Sequence, residues 1–291
     1  MWEFKHSTTC YDATVPATHY ADCHLGYTFG NPVLTKLTDG TWVVLVTSGY
    51  NNVNSPTITG DGLGYLYVLN AADGKILSKI ATTAGSAATP SGLGKINNWV
   101  DSSTINNTTL RVYGGDLLGN VWRFDINNLL APVGEDSFLL TVLTDSAGAS
   151  QPITTKPELA LIDTTPTVYV ATGSYLGAAD LTTTQTQSMY AVKDTQISAT
   201  VTPVTITGLR TGTLVKQTLT DTTNASGSAI RTVSCTTCLA VGGWFADLPI
   251  SKERVNVDPK LQLGTLLVAS NIPEGSSCSA GGFSYLNYFD Y

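Results

Sequence analysis

The residues best suited to metal chemistry lie together near the N-terminus of this chain. All three histidines, His6, His19 and His24, lie beside Cys10 and Cys23 in the segment HSTTCYDATVPATHYADCH. Neutral imidazoles and thiolates are ligands that Zn²⁺ takes in proteins, so a zinc site has to be considered. The segment lacks the short Cys-x-x-Cys or His-x-x-x-His pairs that set the geometry of such a site. Its spacing therefore counts against zinc.

A second cysteine pair, Cys235 and Cys238, lies in the segment SCTTC and allows three interpretations: a local disulfide, a metal site or a redox couple. A redox couple of this spacing normally begins a helix in a thioredoxin-like unit, where the helix dipole lowers the thiol pKa. The surrounding sequence predicts no such unit, which favours a local disulfide. Cys278 is then either the odd thiol or a partner of one of the two, and the sequence does not decide the connectivity.

Composition restricts the classes of function. The 291 residues are 42% hydrophobic, which is enough to bury a sizeable core. Charged residues make up 13% and the formal net charge is −7, whereas nucleic-acid binding needs clustered Lys and Arg. The sequence contains no apolar run of about 18 residues, so no membrane-spanning segment is predicted. The start MWEFKHSTTC lacks the parts of a secretory signal, so we expect the chain to begin inside a fold, with any export signal upstream.

Alternating and β-branched runs, separated by Gly, Asn, Asp and Pro, predict an all-β chain. Four groups of segments repeat one order: a small-residue strand, a Val-rich strand, an aromatic strand after a glycine turn, and an outer strand. Such self-similar units of four antiparallel strands are typical of a β-propeller with quinoprotein-like blades. The predicted blades are 27–82, 86–145, 151–222 and 240–291, with inserted loops at 6–26 and 222–240.

The fourth group stops before its last strand, whereas the segment MWEF at the opposite end of the chain has the character of an outer strand. Residues 1–5 are therefore predicted to be the outer strand that the fourth group lacks. Either this strand closes a small ring, or both ends belong to a larger propeller. Because such rings usually have about four to eight blades, we favour the second interpretation, a partial ring.

The segment RVYGGDLLGNVWRFDI, residues 111–126, could be a phosphate-binding loop or a tight turn. Phosphate loops join a strand to a helix, and the Walker type ends in Gly-Lys-Ser/Thr. Here Gly114, Gly115 and Gly119 lie between two predicted strands and no such triplet follows. We predict a turn with a positive φ angle, and a buried Asp116 that accepts hydrogen bonds from backbone amides.

Several longer segments, taken in order, carry a family resemblance. They are GYTFGNPVLTKLTDGTWVVLVTSGYNN, GDGLGYLYVLNAADGK, RVYGGDLLGNVWRFD, PITTKPELALI, VYVATGSYLG, QSMYAVKD, GWFADLP, ERVNVDPKLQLGTLLVASNIP and CSAGGFSYLNYFDY. Together they are similar to the C-terminal propeller of the PilY/PilC family, the tip-associated adhesins and assembly factors of bacterial type IV pili. The similarity covers most of the chain.

This resemblance implies an exported, non-enzymatic protein at the cell surface, the pilus tip or the outer membrane. Family members oppose pilus retraction and so support extension and twitching motility. They assemble with minor pilins in the tip complex and bind host or abiotic surfaces. In an exported protein, a disulfide between Cys10 and Cys23 that closes the loop 6–26 explains these cysteines better than zinc does.

The family commonly carries a calcium loop of alternating Asp residues just before the strand that matches RVYGGD. This chain has NNWVDSSTINNTTLRVYGGD there, where Asp101, Asn106 and Asn107 offer side-chain oxygens. Ca²⁺ prefers about six to eight oxygen ligands, several of them anionic, and the alternating carboxylates are missing. We therefore expect a degraded calcium site, an Asn- and Thr-rich hairpin loop that bonds its own backbone, and no other cofactor.

Five tryptophans raise the question of a sugar-binding surface, because aromatic faces stack on sugars. Trp42, Trp122 and Tyr67 lie on predicted strands and are expected to be packed between blades. Trp99 and Trp244 lie at strand margins, and they are the candidates for exposed binding aromatics.

Two other functions are alternatives to a pilus-tip scaffold. PQQ-type quinoprotein dehydrogenases build propellers from similar repeats. Those enzymes share a disulfide between two adjacent cysteines, and this sequence has no two adjacent cysteines. Hydrolysis through a nucleophile needs a Ser or Cys beside a base, and the sequence shows no such arrangement. A generic glycan- or protein-binding propeller differs from the pilus assignment mainly in its ligand. The sequence favours a non-catalytic scaffold that presents its loops to minor pilins or to a surface.

Overall fold

The structure is a computed structural model, and it describes residues 1–53, 60–134, 136–227, 229–234, 242–274 and 281–290. Nearly all of their regular structure is β, which confirms the predicted fold class. Helical segments within these residues are short turns at Pro16–Thr18, Ala178–Thr182 and Leu209–Thr213.

The chain folds into two compact units that interleave along the sequence. They are Met1–Thr141 with Gln196–Thr205, and Val142–Thr195 with Ile206–Tyr291. The segment 196–205 is tied to the first unit by hydrogen bonds. The amide of Ala131 donates to the carbonyl of Ser198 at 3.0 Å, and the hydroxyl of Thr205 donates to the carbonyl of Leu139 at 3.0 Å.

Ten strands begin in the first unit: β1 (Lys5–His6), β2 (Ala21–Asp22), β3 (Val33–Lys36), β4 (Trp42–Thr47), β5 (Tyr65–Asn70), β6 (Ile76–Ala81), β7 (Lys95–Val100), β8 (Thr109–Gly115), β9 (Asn120–Phe124) and β10 (Ser137–Val142). Two four-stranded sheets result, in the orders β3-β4-β5-β6 and β7-β8-β9-β10. They lie within the predicted first and second blades.

Alternating burial along β4 shows how these two sheets pack. On β4, Val43 is fully buried and its neighbours in sequence face the other side, as the two-residue period of a strand requires. Val43 joins Leu66 and Val68 of β5 in one core cluster with Trp122 and Phe124 of β9. Each such side chain contributes roughly 1.5–3 kcal/mol on full burial. The two sheets therefore share one core.

The second unit contains β11 (Glu158–Ile162), β12 (Thr165–Ala171), β13 (Ser188–Lys193), β14 (Val215–Thr223), β15 (Ala229–Ser234), β16 (Gly243–Asp247), β17 (Lys260–Gln262), β18 (Thr265–Pro273) and β19 (Gly282–Asp290). Its described strands form a six-stranded sheet, β11-β12-β13-β16-β14-β15, and a three-stranded sheet, β17-β18-β19. A core cluster around Trp244, Val268 and Phe289 includes residues of both sheets.

The predicted boundary between the third and fourth blades, at residues 222–240, was wrong. The end of the predicted third blade, 151–222, was expected to supply its fourth strand, but β16 takes that place and pairs with β13. β14 lies one strand further out, in parallel with β16. The reason is burial: Trp244 and Phe245 of β16 are apolar and buried, whereas β14 is mostly polar and exposed beyond Leu219.

The prediction for the two inserted loops was also wrong in part. The stretch 222–240 carries the end of β14 and the whole of β15, which pair as an antiparallel hairpin. Residues 235–240 of that stretch lie outside the described part of the chain. The stretch 6–26 contains β2, and β1 reaches into it.

Residues 1–5 do not supply the outer strand of the last sheet. The strand at this end is β1, which pairs in parallel with β2. The preceding aromatic residues explain the difference, because both pack on the first sheet. The indole nitrogen of Trp2 donates to the carbonyl of Ala71 at 3.0 Å, and the ring of Phe4 lies 4.9 Å from that of Tyr67.

Gly49→Ala tests how closely the backbone of the first unit is packed. Gly49 has a φ angle of +72°, and a Cβ there would lie 2.0 Å from the carbonyl oxygen of Tyr27, which is held by a bridge between Tyr27 and Tyr50. We expect the free energy of unfolding, measured by urea denaturation, to fall by at least about 2 kcal/mol.

Gly40→Ala is the matched control for this substitution. Gly40 has a φ angle of +89° but nothing within 4 Å of the added Cβ. Only backbone strain opposes the alanine, so a loss of about 1 kcal/mol is expected. Equal losses in the two variants would contradict the role given to close packing at Gly49.

Candidate functional site

A buried carboxylate attaches the N-terminal segment to the first sheet. The side chain of Asp22, at the end of β2, has no solvent exposure. Its Oδ2 lies 2.7 Å from Nζ of Lys79 on β6, and it accepts a 2.7 Å hydrogen bond from the hydroxyl of Tyr67 on β5. Its Oδ1 accepts a 2.7 Å hydrogen bond from the amide of Tyr11. This network attaches the segment to β5 and β6 of the first sheet.

The hydrogen bonds also fix the charge of Asp22. Burial alone would raise the pKa of this carboxyl, but the donors of His24, Lys79, the Tyr11 amide and Tyr67 outweigh burial and hold the pKa well below its usual range. Burial, with the Asp22 charge beside it, raises the pKa of the Tyr67 hydroxyl well above its usual value. Asp22 is therefore an anion and Tyr67 a neutral donor at ordinary pH.

A disulfide lies beside this ion pair. Cys10 and Cys23 are joined by an S–S bond of 2.06 Å. The sulfur of Cys23 lies 3.0 Å from Nδ1 of His24, and Nζ of Lys79 lies 2.7 Å from the same nitrogen. The donor atoms of Cys10, Asp22, Cys23 and His24 all lie within 4.8 Å of one another. These four residues are called the N-terminal cluster below.

The other two histidines lie outside the N-terminal cluster. Nε2 of His19 is 3.1 Å from the carbonyl oxygen of Ala13, and its ring lies 5.6 Å from that of Tyr11. His6 lies on β1. Closeness in sequence therefore did not bring the three imidazoles to one site. While Cys10 and Cys23 form a disulfide, they have no thiolates with which to hold a metal.

The loop that resembles the family's calcium loop is closed by its own hydrogen bonds. Oδ2 of Asp101 accepts a 2.8 Å hydrogen bond from Nδ2 of Asn106, and Nδ2 of Asn107 donates to the carbonyl of Leu34 at 3.2 Å. The amides of Asn106 and Asn107 both donate to the carbonyl of Ser102. With one carboxylate, and with both carboxamides turned to donate, these residues do not fit Ca²⁺.

The glycine-rich turn lies between β8 and β9 and confirms the prediction made for Asp116. Oδ1 of Asp116 accepts hydrogen bonds from the amides of Leu118 and Asn120 at 2.9 and 3.0 Å. Its Oδ2 accepts from Nε1 of Trp122 at 2.8 Å. Gly119 has a φ angle of +80°. Burial raises the pKa of Asp116 despite these donors. The carboxylate thus accepts hydrogen bonds from the amides of the turn that a phosphate would need.

The predictions for the aromatic residues were partly wrong. Trp122 and Tyr67 are fully buried, as expected. Trp244, a candidate for exposure, is only 5% exposed and stacks on Phe289 with ring centroids 5.2 Å apart. The reason is that β16 lies inside the six-stranded sheet and not at a blade margin.

The exposure of Trp42 and Trp99 also differs from the prediction. Trp42, expected to be packed, is 49% exposed because it opens β4 on the face opposite Val43. Trp99 is half-buried, and the guanidinium of Arg111 lies 5.4 Å from its ring centroid. Trp99 is therefore a weak candidate for binding. Cys235, Cys238 and Cys278, the remaining candidates for disulfides, lie outside the described residues.

Sequence reasoning missed a loop between β12 and β13, residues 172–187, that is held by buried hydrogen bonds. Arg254 is buried, and its guanidinium donates to the carbonyl oxygens of Ser174 and Thr183 at 3.0 Å each and to that of Asp180. Every residue has a carbonyl oxygen, so the sequence carries no signal for this arrangement.

The side chain of Asp180 folds the tip of the same loop. Its Oδ2 accepts hydrogen bonds from the hydroxyl of Ser174 at 3.1 Å and from the amides of Leu176 and Gly177 at 2.6 and 3.1 Å. The tip displays two apolar side chains, since Tyr175 is 49% exposed and Leu176 is 51% exposed. The loop is thus fixed from inside and apolar outside.

Comparison with known proteins agrees with the propeller architecture. A family model described as the PilY1 beta-propeller domain matches residues 11–230. The chain belongs to this family. Its sheets are accordingly propeller blades, and the resemblance stated from the sequence is confirmed.

Relatives of this PilY1-family chain are longer proteins. A type IV pilus biogenesis factor PilY1 homolog of Xylella fastidiosa is 30% identical over 273 residues, which cover 90% of this chain and 20% of the relative. The type IV pilus biogenesis factor PilY1 of Pseudomonas aeruginosa is 26% identical over 304 residues, covering 90% and 25%. The chain therefore spans a quarter or less of these relatives.

A solved structure shares the fold. The crystal structure of the Pseudomonas aeruginosa PilY1 C-terminal domain is similar with a TM-score of 0.72 and 25% identity, covering 92% of this chain and 59% of that one. Among the described residues, no helix has the length and apolar character needed to cross a bilayer.

Lys79→Met tests the buried ion pair. Loss of the cation leaves Asp22 uncompensated, so we expect the free energy of unfolding at neutral pH to fall by about 3–5 kcal/mol. Because the pKa of Asp22 is depressed in the folded protein, its contribution is present above the unfolded pKa of about 3.9 and is lost as the pH falls below that value. The difference between variant and wild type, measured by urea denaturation, should therefore shrink on acidification.

Lys5→Met is the control for this prediction. The side chain of Lys5 is 66% exposed and lies 4.0 Å from Glu3, so its loss should change the free energy of unfolding by less than about 1 kcal/mol at any of these pH values. A cost for Lys79→Met that is equally small, or that does not depend on pH, would disprove the role of the pair.

Asp101→Ala tests the calcium loop. The substitution removes an exposed carboxylate and its hydrogen bond from Asn106, so we expect the melting temperature to change little. We also expect Ca²⁺ to leave the melting temperatures of wild type and variant unchanged up to millimolar concentration. Calorimetric titration of chelator-treated protein gives the direct measurement. Micromolar binding that Asp101→Ala removes would overturn the conclusion.

Proposed function

We propose that this chain is the propeller part of a type IV pilus biogenesis factor and acts as a non-catalytic scaffold. It supports pilus extension by presenting loops to minor pilins of the tip complex, and it contributes to adhesion to host or abiotic surfaces. Its place is outside the cell, at the pilus tip or cell surface. The names of the relatives as type IV pilus biogenesis factors support the pilus assignment.

The observation that carries this proposal is the loop between β12 and β13. Arg254 and Asp180 hold it in one conformation through six hydrogen bonds, three from the guanidinium and three to the carboxylate. A loop that is ordered before binding loses little entropy when a partner docks. Aromatic side chains such as Tyr175 are enriched at protein interfaces, and Leu176 adds apolar area beside it. We therefore assign pilin binding to this tip.

The engagement of charged residues in internal networks supports a non-catalytic role. Arg210 donates to Asp247 at 2.8 Å, and the hydroxyl of Ser188 donates to the same carboxylate oxygen at 2.7 Å. Arg231 donates to Glu253, whose side chain is fully buried, at 2.6 Å. A catalytic base must reach the proton of a substrate, and these carboxylates instead hold guanidinium groups.

Adhesion has a separate candidate surface in the first unit. Tyr27 is 58% exposed and Phe29 is 66% exposed, and their ring centroids lie 6.4 Å apart. Their backbone is fixed, because Tyr27 forms two hydrogen bonds with Tyr50. Exposed aromatic rings on a fixed backbone suit recognition of sugars or apolar groups on a surface. This pair replaces Trp99 and Trp244 as the candidate binding aromatics.

Variants of the β12–β13 loop and of the aromatic pair, made in the full-length gene of the bacterium that encodes it, separate pilus assembly from adhesion. Tyr175→Ala combined with Leu176→Ala should reduce surface pili and twitching severalfold while secreted protein levels are unchanged. Tyr27→Ala combined with Phe29→Ala should leave pilus number normal and reduce attachment of cells. Pili are counted by electron microscopy after shearing, and attachment is counted on coated surfaces.

Leu161→Ala provides the control, since Leu161 lies on β11 of the same unit as the loop and is similarly exposed, at 53%. It should change neither readout. Normal piliation in the loop variant would disprove pilin binding by this tip. Normal piliation in a deletion strain would disprove the pilus function as a whole.

A further inference from the structure

The N-terminal cluster has the donor geometry of a metal site. Three consecutive residues converge: Oδ2 of Asp22 lies 3.4 Å from Nδ1 of His24, and the sulfur of Cys23 lies 3.0 Å from that nitrogen. Cys10 completes four donors. Tetrahedral zinc, with bonds of about 2.0–2.3 Å, needs donors roughly 3.3–3.8 Å apart. The two sulfurs must therefore separate, while the nitrogen and the carboxylate oxygen already have suitable spacing.

The cluster already holds one positive charge. Nζ of Lys79 lies 2.7 Å from both Nδ1 of His24 and Oδ2 of Asp22, and 4.3 Å from the ring centroid of Tyr65. The ammonium group thus contacts two of the four donors that a metal would use. Nδ1 of His24 and Oδ2 of Asp22 are therefore already arranged around a cation in the metal-free protein.

Charge balance is the same with and without the metal. In the oxidised protein, the Asp22 carboxylate and the Lys79 ammonium cancel. With the disulfide reduced and zinc bound, two thiolates and one carboxylate balance the divalent metal and the ammonium. Burying an uncompensated charge would cost several kcal/mol, and neither state does so.

We propose that the N-terminal cluster binds Zn²⁺ when the disulfide between Cys10 and Cys23 is reduced. The ligands are both thiolates, Nδ1 of His24 and Oδ2 of Asp22, and zinc displaces Lys79 from the last two. The disulfide and the metal are alternative ways of closing the same loop. This inference is independent of the proposed pilus function.

Reduction requires a dithiol as the electron donor. A thiolate of the dithiol attacks the sulfur of Cys10, because Cys23 is fully buried, and the S–S bond breaks with Cys23 as the leaving thiolate. His24 lies beside that sulfur, and Lys79 lies against His24. The second thiol of the dithiol then closes its own disulfide and releases Cys10. The dithiol loses two electrons and two protons and the protein gains both, and zinc then displaces the two thiol protons.

Cobalt is the probe for this site, because thiolate-bound Co²⁺ has charge-transfer absorption. The full chain carries Cys235→Ser, Cys238→Ser and Cys278→Ser, so that Cys10 and Cys23 supply the thiols. After reduction with dithiothreitol and its removal without air, the protein should bind one equivalent of Co²⁺ with thiolate charge-transfer bands, and Zn²⁺ should displace it. The oxidised protein should bind Co²⁺ at least about a hundredfold more weakly.

Single variants assign the ligands. Cys10→Ser should remove most of the charge-transfer absorption, and His24→Ala should weaken binding roughly tenfold or more. His19→Ala, outside the cluster, should bind as the parent does. Circular dichroism shows whether the reduced protein is folded.

Each result decides the proposal. A reduced, folded protein without charge-transfer bands overturns it, as do bands that persist in Cys10→Ser. If the reduced protein unfolds, refolding by one equivalent of Zn²⁺ supports the site. Failure of Zn²⁺ to refold it overturns the site.

Discussion

A charge taken out of water must find partners, and this constraint decides how the irregular segments of the chain attach to its sheets. Asp22 and Lys79 fasten the N-terminal segment to the first sheet. Arg231 fastens the β14–β15 hairpin to the buried Glu253, with the ring of Tyr285 3.8 Å from its guanidinium carbon. In each case a partner supplies the interactions that water gave, because an unpaired buried ion costs several kcal/mol. Apolar burial builds the sheets, and buried ions position what lies between them.

This division explains what could be predicted from the sequence. Several strands of the first two sheets are short apolar, β-branched or aromatic runs, such as WVVLVT in β4 and YLYVLN in β5, and Asp116 accepts hydrogen bonds from residues within six positions, so local patterns predicted both. β16 was misplaced because its position depends on a competition with β14 for a buried edge of β13, which no local pattern records. Trp244 was misassigned for the same reason, since its exposure follows from the position of its strand.

The candidate sites show the same limit. Proximity in sequence grouped three histidines, but the fold brings His24 to the disulfide and to Lys79, which is distant in sequence. The missing carboxylates of the loop around Asp101 were visible in the sequence, because a calcium loop is a local motif. The loop held by Arg254 could not be found, since its acceptors are backbone carbonyls. The proposed pilus function rests on the family resemblance, which a single sequence carries without any structure.

The interleaving of the two units has a consequence for synthesis. Residues 196–205 belong to the first unit, yet they follow Val142–Thr195 of the second. During translation the first unit therefore lacks its last segment until the early strands of the second have left the ribosome. Domains usually fold one after another from the N-terminus as they emerge. Here that order does not hold, because the first unit is completed only after Val142–Thr195 of the second has been synthesised, so the formation of the two units overlaps in time.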